Sequence, residues 1–268
     1  MRGDISSQFI SALLLISPLA EKQTVINIST RLESKPYVNM TMEAMKAFGV
    51  KPQRDEDYSS FTSPRESYKP TSFDVEGDWS SAAFLLAAGV LTGEVIAGNL
   101  NMDSPQADRQ IINLLEKMGG NLEKGKNAVK ASKSELKATR FDVRDCPDLF
   151  PIASVLCSKA RGESILTGLK RLRIKESDRL KSMLTGLGGM GVETALEGDF
   201  LRIKGGKAVG SVIDPFDDHR IAMSFGVLGL VAEGKTIIKN SECVEKSYPE
   251  FWSHLESLGA EIGVYSNE

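Results

Sequence analysis

Cysteine and histidine are scarce: three and two residues among 268. Cys146, Cys157 and Cys243 are an odd number with no CxxC spacing, and His219 and His254 alone make a zinc site unexpected. Free thiols in a reducing cytoplasm are the reading this leaves. No apolar run approaches the roughly 18–20 residues that a membrane-crossing helix needs. A basic surplus is also lacking, because 33 Lys and Arg against 36 Asp and Glu leave a net charge of −3. Nucleic acid is therefore not an expected partner. The stretch Phe9–Ile16 imitates the apolar part of a secretory signal, but Asp4 stands where such a signal is basic, and similar stretches recur downstream. What is present is an ordinary globular composition, 41% hydrophobic and 26% charged, in a chain long enough for two domains or one large one.

The chain repeats itself. An apolar helix pattern that stops at a glycine and passes into a short alternating strand occurs at Gly49, Gly119, Gly191 and Gly259. The interval is about 70 residues, longer than the period of solenoids. Glycine after the last apolar helical residue is a helix stop, since it enters the left-handed region cheaply. A second element has the same period: a polar cluster opening a nearly all-apolar helix. The clusters are Gly3–Gln8, Gly77–Ser81, Asp145–Asp148 and Asp217–Arg220, and each contains residues that cap helix starts. Helices apolar on every side are expected to be buried. Each copy therefore reads strand, buried helix, strand, amphipathic helix, glycine and two strands. The predicted fold is α/β with α+β type repeats, four βαβαββ units in which sheet covers helix. Asp55–Pro70 reads either as a linker or as a hairpin loop within a unit, and a domain boundary is placed near residue 76, dividing 1–76 from 77–268.

Two polar segments carry most of the functional signal. Arg173-Ile174-Lys175-Glu176-Ser177-Asp178-Arg179-Leu180 puts Lys175 and Arg179 one predicted helical turn apart with Glu176 and Asp178 between them. Asp217-Asp218-His219-Arg220 places two cations in a helix's first turn, where the dipole opposes them. Helix starts offer free N–H groups and partial positive charge, so several of them facing one cleft would bind anions without a net basic charge. Lys175, Arg179, Arg220 and Lys246 would strengthen such a cleft for phosphates and carboxylates. Taken singly, each feature has a plainer reading. Ser6, Ser7 and Gln8, like Asp148, serve as helix caps; Lys175–Arg179 is a solvated helix start; Lys246 is a loop lysine.

Together the motifs closely resemble the 5-enolpyruvylshikimate-3-phosphate synthases, the 3-phosphoshikimate 1-carboxyvinyltransferases of aromatic amino acid biosynthesis. The segments Gly3–Phe9, Ser34-Lys35-Pro36-Tyr37, Gly77–Ala82, Pro147-Asp148, Arg173–Leu180, Asp217–Met223 and Lys246-Ser247-Tyr248-Pro249 match in family order. The resemblance implies the inside-out α/β barrel fold with six units, three per domain, of which four are legible. Residues 1–76 would be the last unit of the N-terminal domain and 77–268 the C-terminal domain. The family's Gly-Ser-Lys-Ser and Gly-Asn-Ala-Gly-Thr segments have no counterpart. The chain is thus expected to be a C-terminal fragment whose partner is the missing N-terminal segment of the same enzyme.

The implied reaction transfers the enolpyruvyl group of phosphoenolpyruvate to the 5-hydroxyl of shikimate 3-phosphate and releases phosphate. No metal or organic cofactor, nucleic acid or membrane is implied, and the location is cytoplasmic. By the resemblance, Ser6, Ser7, Ser34 and Tyr37 contact shikimate 3-phosphate, with Lys175 on the same side and Gln8 near both substrates. Asp148 holds and deprotonates the attacking hydroxyl, Glu176 moves a proton near the phosphoenolpyruvate methylene, and Arg179, Arg220 and Lys246 clamp phosphoenolpyruvate. Lys246 is also a candidate acid, and His219 shapes the site. Arg171 departs from the family's asparagine, either replacing a substrate contact or facing solvent. Two alternatives remain: the sister transferase acting on UDP-N-acetylglucosamine, and an anion-binding fragment that catalyses nothing alone.

Overall fold

A computed structural model describes residues 1–264. They fall into two compact units. The first comprises Met1–Glu76 with the short segments Asp103–Ala107 and Arg144–Cys146, and the second the remainder from Gly77.

In the first unit, α1 (Ser7–Ile16), β1 (Thr24–Asn27), α2 (Lys35–Ala47), β2 (Gln53–Arg54) and β3 (Ser60–Ser63) follow in order. The strands form an antiparallel sheet ordered β1-β3-β2, with Ile26 opposite Phe61. Strand alternation sends Ile26 and Phe61 inward to Ile10, Leu14, Val38, Met42 and Met45, and leaves Val25 outside. The ambiguous Asp55–Pro70 stretch therefore includes a hairpin strand, anchored by the buried Phe61.

The second unit holds three further copies. The first contains α3 (Trp79–Thr92), β4 (Glu94–Gly98), α4 (Gln110–Lys117), β5 (Asn121–Lys124) and β6 (Ala128–Ser132). The next contains β7 (Arg140–Asp142), α5 (Phe150–Lys159), β8 (Glu163–Thr167), α6 (Arg179–Gly189), β9 (Thr194–Glu197) and β10 (Phe200–Lys204). The last contains β11 (Val212–Ile213), α7 (His219–Gly229), β12 (Ile237–Ile238) and α8 (Phe251–Ser257). The apolar helices α3, α5 and α7 pack against one another. Outside them lie the sheets β4-β6-β5, β7-β8-β10-β9 and β11-β12. Nine residues of α3 and nine of α5 are buried, as an all-round apolar surface requires.

Two expectations need correction. Among the described residues, only the copy running from β7 to β10 shows the whole βαβαββ order. Thr71–Val75, ahead of α3, form no strand: Phe73 and Val75 alternate as strand residues would, yet they are 51% and 77% exposed and bury no face. In addition, α1 is not buried all round. Ile10 and Leu14 face the core, while Phe9, Leu13 and Ile16 are 57%, 41% and 61% exposed. Composition alone cannot distinguish α1 from α3, since burial on the second face requires neighbouring helices.

The glycine stops are as the repeats predict. Gly49, Gly119, Gly191 and Gly259 have φ of +87°, +79°, +80° and +96°. In each copy the next residue donates its N–H back to a carbonyl five positions earlier, as Val192 does to Leu187, closing the same helix end. Another glycine serves close packing: a Cβ on Gly186 of α6 would lie 2.1 Å from the Phe225 ring of α7. Gly186→Ala is expected to cost about 1–3 kcal/mol by overpacking, read as a lower urea midpoint. An unchanged midpoint would mean that α6 and α7 do not pack this closely in solution.

Candidate active site

The polar starts of the apolar helices in the second unit, together with the start of α6, build one charged cluster. Arg179, the first residue of α6, is 0% exposed. Its Nε donates to Asp218 Oδ2 at 2.8 Å, Nη1 to Asp148 Oδ1 at 2.6 Å and Nη2 to Glu176 Oε2 at 2.6 Å. Asp148 gathers two more cations: Lys175 Nζ lies 3.4 Å from Oδ1 and Arg220 Nη2 lies 3.4 Å from Oδ2. Asp218 caps α7 by accepting the Arg220 N–H, and it also accepts the Ser177 hydroxyl.

The local conformations explain this convergence and correct the sequence reading. Lys175 and Arg179 are not a turn apart on one helix. Lys170–Ile174 form a 3-10 turn, Lys175 is extended, and α6 begins only at Arg179, with Asp178 as its cap. With the break between them, both cations reach Asp148 Oδ1, at 3.4 Å and 2.6 Å. Asp148 in turn is not a cap. It lies in the 3-10 turn Pro147–Leu149, and α5 starts at Phe150 with no side-chain cap.

Electrostatics differ within the cluster. Burial works to raise the Asp148 pKa, but Arg220, Arg179 and Lys175 outweigh it and hold the carboxyl well below the ordinary range. Asp218 is likewise lowered, since Arg179 and the Arg220 N–H overcome its burial. Burial and then Arg220 push His219 down to about 4, so the ring is neutral at pH 7. It is 3% exposed, and its Nδ1 has no hydrogen-bond partner within the protein.

The remaining candidates sit on other segments. Lys246 ends the 3-10 segment Ser241–Lys246 and lines a cavity of about 330 Å³ with Asp217, Asn240, Glu242 and Cys243. Arg171 is half-buried in the turn before Lys175. In the first unit, Ser6 caps α1 by accepting the Gln8 N–H, Ser7 is buried and Gln8 is exposed. Ser34 is buried at φ +53°, left-handed backbone that a serine rarely adopts, and it starts the helix carrying the half-buried Tyr37. Asp108 was not anticipated. It lies in the 3-10 turn Ala107–Arg109, takes the Ser80 hydroxyl at 2.5 Å and stands 4.0 Å from Arg220 Nη1. A lone aspartate ahead of an amphipathic helix carries no distinguishing sequence signal. Among the described residues, no three His, Cys, Asp or Glu side chains are arranged to hold a metal ion, and no helix is long and apolar enough to cross a membrane.

Residues 1–255 match the family model described as EPSP synthase (3-phosphoshikimate 1-carboxyvinyltransferase). The chain belongs to the EPSP synthase family. It is 43% identical over 260 residues to the 3-phosphoshikimate 1-carboxyvinyltransferase of Dehalococcoides mccartyi, covering 97% of this chain and 62% of the relative. Against the enzyme of that name from Clostridium acetobutylicum, the identity is 42% over 265 residues, covering 98% of this chain and 61% of the relative. The chain thus spans about three fifths of the length of these curated relatives. An Acinetobacter baumannii EPSP synthase structure superposes with a TM-score of 0.79 at 27% identity, covering 94% of this chain and 60% of that one. The enolpyruvyl transferase NikO of Streptomyces tendae shares the fold, with a TM-score of 0.76 at 19% identity over 95% of this chain and 60% of that one. The fold is that of the enolpyruvyl transferases.

In this EPSP synthase family chain, Arg179→Met would leave three carboxylates without their shared cation. A loss of about 3–5 kcal/mol is expected in chemical denaturation at pH 7. Because the Asp148 and Asp218 pKa values are lowered by folding, the stability they confer is present above about pH 4 and is lost as pH falls through and below it. The variant should show a flatter stability profile between pH 5 and pH 2 than the native chain. A parallel profile would assign the acid sensitivity to other groups.

Proposed function

We propose that this chain carries the Asp148 wall of an enolpyruvyl transferase site acting on phosphoenolpyruvate and shikimate 3-phosphate. In this reaction the 5-hydroxyl oxygen bonds to C2 of phosphoenolpyruvate while C3 gains a proton. The tetrahedral adduct then loses phosphate from C2 and a proton from C3, regenerating the double bond. The observation that supports this reading best is the convergence of Lys175, Arg179 and Arg220 on the single carboxylate of Asp148, in a chain matching the family from residue 1 to 255. An Asp148 so stabilised as an anion is a weak base. On this reading, Arg220 and Lys175 turn toward the anionic substrates as these bind, which raises the basicity of Asp148 where the hydroxyl is held. Arg179, fully buried among three carboxylates, reaches phosphoenolpyruvate only by giving up one of them. Glu176, with its side chain 31% exposed, is the carboxyl of the cluster best able to exchange protons with ligand or solvent. Lys246 retains its proposed role at phosphoenolpyruvate, Gln8 its role near both substrates, and Ser6, Ser7, Ser34 and Tyr37 theirs at shikimate 3-phosphate, while Arg171 either replaces a substrate contact or faces solvent. The UDP-N-acetylglucosamine reading gains no support from the curated relatives.

The completing polypeptide belongs to the same proposal. The helices α3, α5 and α7 each bury their apolar faces on the other two, and we take α1 to need two such neighbours. The exposed Phe9, Leu13 and Ile16 support this, as does the chain's 62% share of its relatives' length. A cytoplasmic location is also part of the proposal.

The chain alone is expected to bind either substrate weakly and to release no phosphate when given both. Phosphate release at an enzyme-like rate would refute the need for further units. In the completed protein, Asp148→Ala or Glu176→Ala should lower turnover about 100-fold or more. Cys157→Ala should do little, since burial pushes that thiol up to about 12. Near-normal rates in either acidic variant would remove it from its role. The α1 face has a separate test: Phe9→Asp with Leu13→Asp should reduce apolar-dye binding and self-association of the chain while leaving far-UV circular dichroism unchanged. Undiminished dye binding would show that the face is covered by the chain itself.

A further inference from the structure

Asp108 is the carboxylate of this cluster that the proposed reaction leaves without a task. It is 2% exposed, and its Oδ1 has no hydrogen-bond partner within the protein. The groups facing it come from three helix starts. The first turn of α3 offers the Ser80 hydroxyl, with the capping Asp78 beside it; Asp148 comes from the turn before α5, and Arg220 from the first turn of α7. Two neighbouring carboxylates thus oppose one cation, and that cation is shared with Asp148, whose Oδ2 lies closer to it at 3.4 Å than does Asp108 Oδ2 at 4.0 Å.

The two buried aspartates are consequently driven in opposite directions. Asp148 has three cations and remains ionised. Asp108 has burial and Asp148 against it, with only Arg220 and the Ser80 hydroxyl in favour of its charge, and its carboxyl rises to about 6. A proton therefore enters or leaves Asp108 near neutral pH, directly behind the guanidinium proposed to clamp an anionic substrate.

We propose that Asp108 is a charge switch behind Arg220. Protonated, it frees the guanidinium of a second counter-ion and strengthens anion binding; ionised, it competes with the anion. Binding of a phosphate- or carboxylate-bearing ligand and proton uptake at Asp108 are then linked, each favouring the other by the same factor. The inference rests on the reading of Arg220 as an anion-binding residue. It makes Asp108 a positioning residue that acts through Arg220 rather than on the reacting atoms.

Inorganic sulfate is a suitable probe because it remains a dianion from pH 5 to pH 8. Its affinity for the full chain is measured by calorimetry or NMR at constant ionic strength. The native chain should bind sulfate roughly fivefold or more tightly at pH 5 than at pH 8, a typical size for coupling between sites. Asp108→Asn, neutral at every pH, should bind at pH 8 as tightly as the native chain does at pH 5 and lose most of the pH dependence. Ser80→Ala removes a hydrogen bond that favours the ionised carboxylate, so its transition should move to higher pH. His219 stays neutral over this range and does not supply the same transition.

A stability measurement separates folding from binding. A carboxyl raised by folding contributes stability at low pH that is lost as pH rises through about 6. Asp108→Asn should therefore gain on the native chain between pH 5 and pH 8. An unchanged sulfate pH dependence in Asp108→Asn, or weaker binding at pH 8, would overturn the switch while leaving the transferase reading intact. Sulfate binding that is absent, or indifferent to Arg220→Gln, would overturn both the switch and the role of Arg220.

Discussion

The structure of the candidate site depends on one buried guanidinium. Arg179 holds Asp148, Glu176 and Asp218 at the same time, and these come from the turn before α5, the segment before α6 and the cap of α7. An arginine out of solvent remains charged and must find carboxylates; three carboxylates out of solvent need cations. Neither requirement can be met unless the three chain segments stand where they do. Such a network is a weak contributor to net stability compared with apolar packing of the same volume, yet it is intolerant of losing a member. The geometry of Lys175 and Arg220 around Asp148 follows from it.

The apolar helices make this arrangement possible. Because α3, α5 and α7 pack on one another, with the sheets outside, their N-terminal turns bring polar residues into an apolar interior. Ser80, Asp148 and Arg220 all lie at such starts. The same low dielectric that keeps Asp148 anionic among three cations makes a charge on Asp108 costly beside only one. Thus one interior supplies an ionised carboxylate and a protonatable one within reach of the same arginine.

Much of this was legible in the chain. The glycine stops at 49, 119, 191 and 259 follow from backbone sterics that depend on local sequence, and their left-handed φ values agree. The capping residues Ser6, Asp78 and Asp218 likewise act within two or three positions along the chain. The motifs around Arg179 and Arg220 were visible as clusters of opposite charge, and Asp148 as part of a polar helix start. By contrast, the break between Lys175 and Arg179 departs from the helical turn their spacing suggests, although Ser177 and Asp178 favour helix caps and Asp178 does cap α6. The exposed face of α1 was equally hidden, because Phe9 and Leu13 resemble the buried residues of α3 in every respect except their neighbours.

The sequence by itself determined the repeat, the helix ends and the residue types available for anion and proton chemistry, because each depends on interactions between residues close along the chain. Tertiary structure alone decided which carboxylate each cation serves. Asp108, Asp148 and Asp218 are the same residue type near helix starts, and only packing makes one protonatable, one an anion shared by three cations and one a partner of the buried Arg179. The reason is that Coulomb energy and desolvation depend on distance and burial, and the residues that set them here lie tens of positions apart in the chain.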